Sequence, residues 1–140
     1  MEASTAHDKL LVAIGPSPNS AHLAEWTNRT ALALECEWVA MHVDTGSQLS
    51  HEDSRNLEEN LSLVRRLGGQ VIVRESSDIA TCIIDTAREI KASGIVIGRS
   101  GLSRLGILPR RPTVSDRIVR EADPLDVFVV QDVDFARRGF

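Results

Sequence analysis

Ile95-Val96-Ile97-Gly98-Arg99-Ser100-Gly101 reads as an apolar strand that breaks at a glycine into an arginine-bearing loop. After eleven intervening residues, Thr113-Val114-Ser115-Asp116 opens a helix with the pattern of a capping box. Six arginines lie within and between these pieces: Arg99, Arg104, Arg110, Arg111, Arg117 and Arg120. Guanidinium groups hold phosphate or carboxylate by paired hydrogen bonds. A helix start adds unpaired N–H groups and the positive end of the helix dipole. A strand, a Gly/Arg loop and a helix N-terminus in that order suit an anion site. Its candidate residues are Gly98, Arg99, Gly101, Arg110, Arg111, Thr113 and Ser115. Arg117 and Arg120, one turn apart, have the alternative of pointing away. The competing reading of the whole segment is a solvated basic loop.

A second group lies on the Pro-rich turn Gly15-Pro16-Ser17-Pro18-Asn19-Ser20. Asn19 or Ser20 is the expected N-cap of the following helix. Ser17, Asn19 and Ser20 also offer polar groups to a ligand. His42 and Asp44, near the end of a second apolar run, are within reach of the same cleft, although a plain core or surface histidine is the simpler reading. The four histidines, His7, His22, His42 and His51, fall on separate elements. Cys36 and Cys82 form no C-x-x-C or Cys/His cluster, so neither zinc nor a disulfide framework is expected and reduced thiols are the default. Cys82 is expected to pack in the core, as are Trp26 and Trp38.

Several catalytic patterns fail. Gly101-Leu102-Ser103-Arg104-Leu105-Gly106 has P-loop spacing, but Ile107-Leu108 stand where Lys-Ser/Thr is required. No G-x-G-x-x-G follows the first apolar run, and no G-x-S-x-G nucleophile elbow exists. No nucleophile–base pair suggests a hydrolase.

The elements that must carry these residues follow from the hydropathy pattern. Leu10-Leu11-Val12-Ala13-Ile14, residues 38–43, Gln70-Val71-Ile72-Val73, Ile95-Val96-Ile97 and Val127-Phe128-Val129-Val130 are short runs apolar on both faces. Such runs are strands of a parallel sheet covered on both sides. Helical stripes lie between them: Leu23, Trp26 or Thr27, Thr30 and Leu34; Leu57, Leu61, Val64 and Leu67, entered by Ser50-x-x-Asp53 and closed by Gly68-Gly69; Ile79, Ile83, Ala87 and Ile90, ending at Gly94; and Val114, Ile118 and Ala122. The alternation predicts an α/β fold: a three-layer, open, five-stranded parallel sheet in order 3-2-1-4-5, with two helices on each face. Ligands of such sheets bind at the carboxyl ends of the strands, where the order reverses. That switch falls between strands one and four, where residues 15–20 and 98–112 meet. The last strand is expected at a sheet edge.

Composition agrees with one soluble domain. The chain has 140 residues, enough to bury roughly 68% of its unfolded surface. Its domain is expected to span residues 9–131, with tails at 1–8 and 132–140. The net charge is −4, yet residues 99–120 carry six arginines against Asp116, so they are +5 and the remainder is −9. The acidic balance and the lack of aromatics among the arginines argue against nucleic acid. No run approaches the ~20 apolar residues of a membrane helix, and the first eight residues lack a signal peptide's apolar core.

Gly15-Pro16-Ser17-Pro18-Asn19-Ser20, Glu37-Trp38-Val39-Ala40, Ile95-Val96-Ile97-Gly98-Arg99 and Ser115-Asp116-Arg117-Ile118-Val119-Arg120, with Leu125-Asp126-Val127-Phe128-Val129-Val130, stand in a telling order. Across residues 9–131 the chain resembles the universal stress protein fold, and within it the cytoplasmic domain of KdpD-type osmosensitive potassium-sensor histidine kinases. The resemblance implies a non-catalytic, ligand-sensing regulatory domain of a two-component system. Its partners would be the other domains of the parent kinase, on the cytoplasmic face of the membrane. The alternative is a free-standing, nucleotide-binding universal stress protein. In such proteins the last edge strand serves dimerisation, which makes a weak homodimer an expected assembly.

The resemblance also bears on the ligand. Nucleotide-binding relatives carry an Asp at the end of strand one, where Gly15 stands here; Ser17 is retained. Of their loop pattern G-x2-G-x9-G-(S/T), Gly98 and Gly101 fit, but ten residues precede Pro112-Thr113, and Pro112 has no N–H for a phosphate. Weak or absent ATP binding is therefore expected. Some sensor-kinase members bind cyclic-di-AMP through the first loop and strand two. The matching positions here are Ser17, Trp38, Val39, Ala40 and His42, with Gly15 in place of a second serine.

Overall fold

The computed structural model describes residues 8–99 and 113–131. The strands are β1 (Lys9–Ala13), β2 (Glu37–Asp44), β3 (Gln70–Glu75), β4 (Gly94–Gly98) and β5 (Asp126–Val130); the helices are α1 (Asn19–Leu34), α2 (His51–Arg66), α3 (Ile79–Glu89) and α4 (Val114–Glu121). All strand pairs are parallel, in the order β3-β2-β1-β4-β5. Both the order expected from the sequence and the edge position of β5 hold.

The sheet separates two apolar layers because neighbouring side chains on a strand point to opposite faces. On β1, Leu11 joins Met41, Ile83, Ile95 and Ile118 beneath α3 and α4. Leu10 and Val12 join Leu23, Val64 and Val96 beneath α1 and α2. The central strands are buried on both faces, which is why they read as continuous apolar runs. β3, at the edge, leaves Val73 exposed.

Side-chain caps set three of the helix starts, those of α2 and α4 as expected from the sequence. Ser50 accepts from the Asp53 N–H at the start of α2, Asp78 from Thr81 at α3, and Thr113 and Asp116 form a reciprocal box at α4. α1 differs. Its N-cap position is Pro18, with no side-chain cap, and Asn19 and Ser20 already lie inside the helix. The two serines beside it serve the preceding loop instead: Ser20 Oγ accepts from the Gly15 N–H at 2.9 Å and Ser17 Oγ from the Asn19 N–H at 3.1 Å.

Two other expectations need correction. Leu34 is exposed, because the buried stripe of α1 runs through Leu23, Ala24, Thr27 and Ala31 and stops there. α3 ends at Glu89, not at Gly94: Lys91 takes a left-handed conformation (φ 62°), and Gly94 begins β4. The glycine serves packing rather than helix termination, since a Cβ there would lie 2.9 Å from Phe128 and 3.1 Å from Leu10.

α3 and α4 are joined at both ends. Arg117 Nη1 donates to Asp78 Oδ1 at 2.8 Å. At the other end Arg88 donates to the Asp123 and Glu121 carbonyls at 3.2 and 3.4 Å, serving the C-terminal carbonyls of α4.

Candidate functional site

A cleft of about 980 Å³ opens at the carboxyl ends of β1, β2 and β4. The loop after β1 forms one wall and the first turn of α4 another; the segment entering α2 closes the far side. It lies at the reversal of strand order, where an open α/β sheet places its ligands.

The structure brings Ser17, His42, Asp44, Gly98 and Ser115 together on this cleft. His42 Nδ1 lies 2.9 Å from the Ile14 carbonyl, so Nδ1 carries the proton and donates. Nε2 of the neutral ring is then an acceptor. Asp44 Oδ1 accepts from the Gly46 N–H at 2.9 Å, within a turn that Gly46 makes at φ 88°. Gly98 keeps the floor low: a Cβ there would stand 3.3 Å from Leu23 and 3.4 Å from the Asn19 amide. Ser115 is buried at the mouth of α4, and its hydroxyl shares a hydrogen bond with Thr113 Oγ1 at 3.2 Å.

Other predicted residues lie elsewhere. Asn19 and Ser20 sit behind the wall, Asn19 beneath Gly98 and Ser20 bonded to Gly15. Thr113 caps α4 beside Ser115. Arg99 is exposed and reaches Gln131 Oε1 at 3.4 Å, beyond the end of β5. Arg117 serves Asp78 and Glu121. Gly101, Arg104, Arg110, Arg111 and Pro112 lie outside the described residues.

The described lining therefore holds one carboxylate, Asp44, one imidazole, His42, and no lysine or arginine. Its other polar groups are uncharged, Thr45, Ser47, Gln48 and Ser54 among them, set beside Leu49, Leu57 and Val73. Thr45, Ser47, Gln48 and Leu49 enter from the β2–α2 connection, which the sequence reading left out. It also left out Asn60. This buried residue of α2 donates from Nδ2 to the Gly15 carbonyl at 2.8 Å and the Ser17 carbonyl at 3.0 Å. The available signal was an asparagine beside Leu61, one turn after Leu57 and one before Val64 on the inner stripe of α2.

An ion pair between α3 and α4 stands beside the cleft-lining residues Ile79 and Val114. The Thr81 backbone N–H, then the Arg117 guanidinium and the Thr81 hydroxyl, hold the Asp78 carboxyl below its ordinary range. The same ion pair, with help from Glu121, raises Arg117. Among the described residues no group of three or more His, Cys, Asp or Glu side chains could hold a metal ion. No described helix is long and apolar enough to cross a membrane. Both cysteines are free thiols; Cys82 packs on the α3/α4 core as expected, and burial raises the Cys36 thiol.

Comparison with known proteins agrees with this fold. Residues 7–131 match the model of the universal stress protein family. The chain is 31% identical over 132 residues to the sensor protein KdpD of Clostridium acetobutylicum, a match covering 93% of this chain and 15% of that protein. It is 29% identical to the sensor protein KdpD of Mycobacterium tuberculosis, over 89% of this chain and 14% of that one. The chain thus spans about one seventh of the length of these relatives. Among solved structures, a universal stress protein in complex with cAMP superposes with a TM-score of 0.64 at 17% identity, covering 89% of this chain and 97% of that one. The universal stress protein of Archaeoglobus fulgidus in complex with dAMP gives 0.60 at 20% identity, covering 87% and 96%.

Proposed function

The chain belongs to the universal stress protein family, and on that premise we propose that it is a non-catalytic regulatory domain of a potassium-sensor histidine kinase of the KdpD type. The observation that carries this reading is the match to KdpD sensor proteins, which covers 93% of this chain and 15% of the Clostridium acetobutylicum relative. The domain would then act on the cytoplasmic face of the membrane, through contacts with the other domains of its parent. The cleft fits such a role. It offers hydroxyls, an imidazole and apolar surface to a ligand.

The ligand we propose is a nucleotide. Its base and sugar would lie against Ser17, His42, Asp44, Gly98 and Ser115. Its phosphate would meet the first turn of α4 and the basic segment that includes Arg99, Arg110 and Arg111. Cyclic-di-AMP fits this reading better than ATP, because Gly15 supplies no carboxylate and Pro112 no N–H.

A second reading is a free-standing nucleotide-binding stress protein. It is favoured by the fold neighbours crystallised with cAMP and dAMP, which the match covers at 97% and 96% of their length. One chimera separates the two. This chain replaces the matching segment of the Clostridium acetobutylicum sensor protein, and autophosphorylation is measured with and without cyclic-di-AMP. Under the regulatory reading, autophosphorylation responds to the ligand, and the Ser17→Ala and His42→Ala substitutions abolish the response. Autophosphorylation that ignores both the ligand and the substitutions, while the isolated chain binds nucleotide, favours the second reading.

A further inference from the structure

The loop after β1 contains Pro16 and Pro18, neither of which has an N–H to donate. Three of its carbonyls accept from side chains of two other elements, and Ser17 O also accepts from the Ser20 N–H at 2.9 Å. Ile14 O takes the His42 Nδ1 proton at 2.9 Å. Gly15 O and Ser17 O take the two Nδ2 protons of Asn60 at 2.8 and 3.0 Å. Asn60 is only 6% exposed, and it is not part of the cleft wall. A buried amide that spends both protons on carbonyls two residues apart fixes the direction of both.

That direction matters for what the cleft presents. With the Gly15 and Ser17 carbonyls bonded to α2, these two acceptors are not left to repel the phosphate oxygens of a ligand. Ser17 Oγ already accepts from the Asn19 N–H, so its own proton is left to donate, and Ser17 stands on the cleft wall. We propose that Asn60 is the positioning residue of the ligand loop: it acts through Gly15 and Ser17 and sets the donor character of the cleft's first wall. The proposal rests on the cleft being a ligand site, and it places the control of that site on α2.

The test compares wild type with Asn60→Asp and Asn60→Leu. Asn60→Asp keeps the side chain's shape but, as a carboxylate, cannot donate; Asn60→Leu removes the polar group. Backbone amide exchange is followed by NMR at Gly15, Asn19 and Ser20, with Val12 and Ala40 in the core strands as reference. Both variants are expected to speed exchange in the loop by roughly tenfold or more, the scale of one lost hydrogen bond, with the reference amides unchanged. Titration with cAMP should weaken in parallel. A purely structural role would instead raise exchange in the loop and in the strands together, and that result overturns the proposal, as does wild-type protection of the loop in both variants. If neither variant folds, exchange of the Asn60 side-chain amide in wild type decides: both Nδ2 protons protected supports the proposal, and rapid exchange of both overturns it. Failure of cAMP and cyclic-di-AMP to bind wild type counts against the nucleotide reading, and the exchange data then decide the positioning role separately.

Discussion

Arg117 Nη1 lies 2.8 Å from Asp78 Oδ1, which joins α4 to the residue that caps α3. Arg117 Nη2 also donates to Thr81 Oγ1 at 3.1 Å, and Thr81 donates its backbone N–H and hydroxyl to Asp78. The guanidinium thus completes a closed set around one carboxylate.

This set makes stability depend on pH in a defined direction. The folded protein holds Asp78 below the ordinary carboxylate range, so its contribution is present above about pH 4 and is lost as pH falls through the lowered value. Asn in its place keeps a capping oxygen and removes the charge. Asp78→Asn is expected to lower the thermal midpoint at pH 7, and the difference from wild type should shrink as the buffer is taken below pH 4. A difference that stays constant across that range would show that the charge has no part in it.

Gly69→Ala tests the packing at the start of β3. A Cβ there would lie 2.7 Å from the buried Trp38 indole. Overpacking of this kind costs about 1–3 kcal/mol. Urea denaturation should show that loss, while Gly15→Ala, whose Cβ would meet nothing within 4 Å, serves as the control.

Gly15→Asp places a carboxylate after the first strand, where the resemblance to nucleotide-binding stress proteins implies one. Space is available there, since no heavy atom lies within 4 Å of the added Cβ. Wild type is expected to bind ATP no tighter than about 10 µM, and the variant about tenfold tighter, a gain of about 1.4 kcal/mol. Calorimetric titration checks both. Low-micromolar binding by wild type would mean that the missing carboxylate matters little.

Replacing Arg99, Arg110 and Arg111 together by Ala is expected to abolish binding of a phosphate-bearing ligand. The thermal midpoint, measured alongside, separates loss of a ligand contact from loss of the fold. Equal cyclic-di-AMP binding by variant and wild type would reduce the segment to a solvated loop.

Val129 is exposed on β5, the edge strand beyond β4. If this edge joins two copies of the chain, Val129→Lys lowers the mass measured by light scattering, because a lysine at an edge opposes further pairing. A monomer mass for both proteins excludes that assembly.

The strand order was legible because β1, β2 and β4 are buried on both faces and the helical stripes between them are clear. The place of the loop after β1 and of Gly98 at the switch point followed from that order alone. Details that depend on side-chain competition did not. Ser20 has the chemistry of a helix cap, yet its hydroxyl is taken by Gly15, and nothing local distinguishes the two uses. Arg117 reads like its neighbours in a basic run until α3 brings Asp78 beside it. Asn60 looks like an interruption of an apolar stripe, and only the fold supplies the carbonyls that occupy it.

The composition of the described cleft wall has a consequence for ionic strength. With Asp44 and His42 as its ionisable groups and no fixed cation, this wall selects by hydrogen-bond pattern and shape. Such contacts respond weakly to salt, whereas contacts between phosphate and arginine are screened over about 8–10 Å at physiological ionic strength. The slope of affinity against salt therefore reports how a ligand divides itself between the two. A nucleoside held by the wall alone would bind with the same strength in dilute and concentrated buffer, and a nucleotide engaging the basic segment would not.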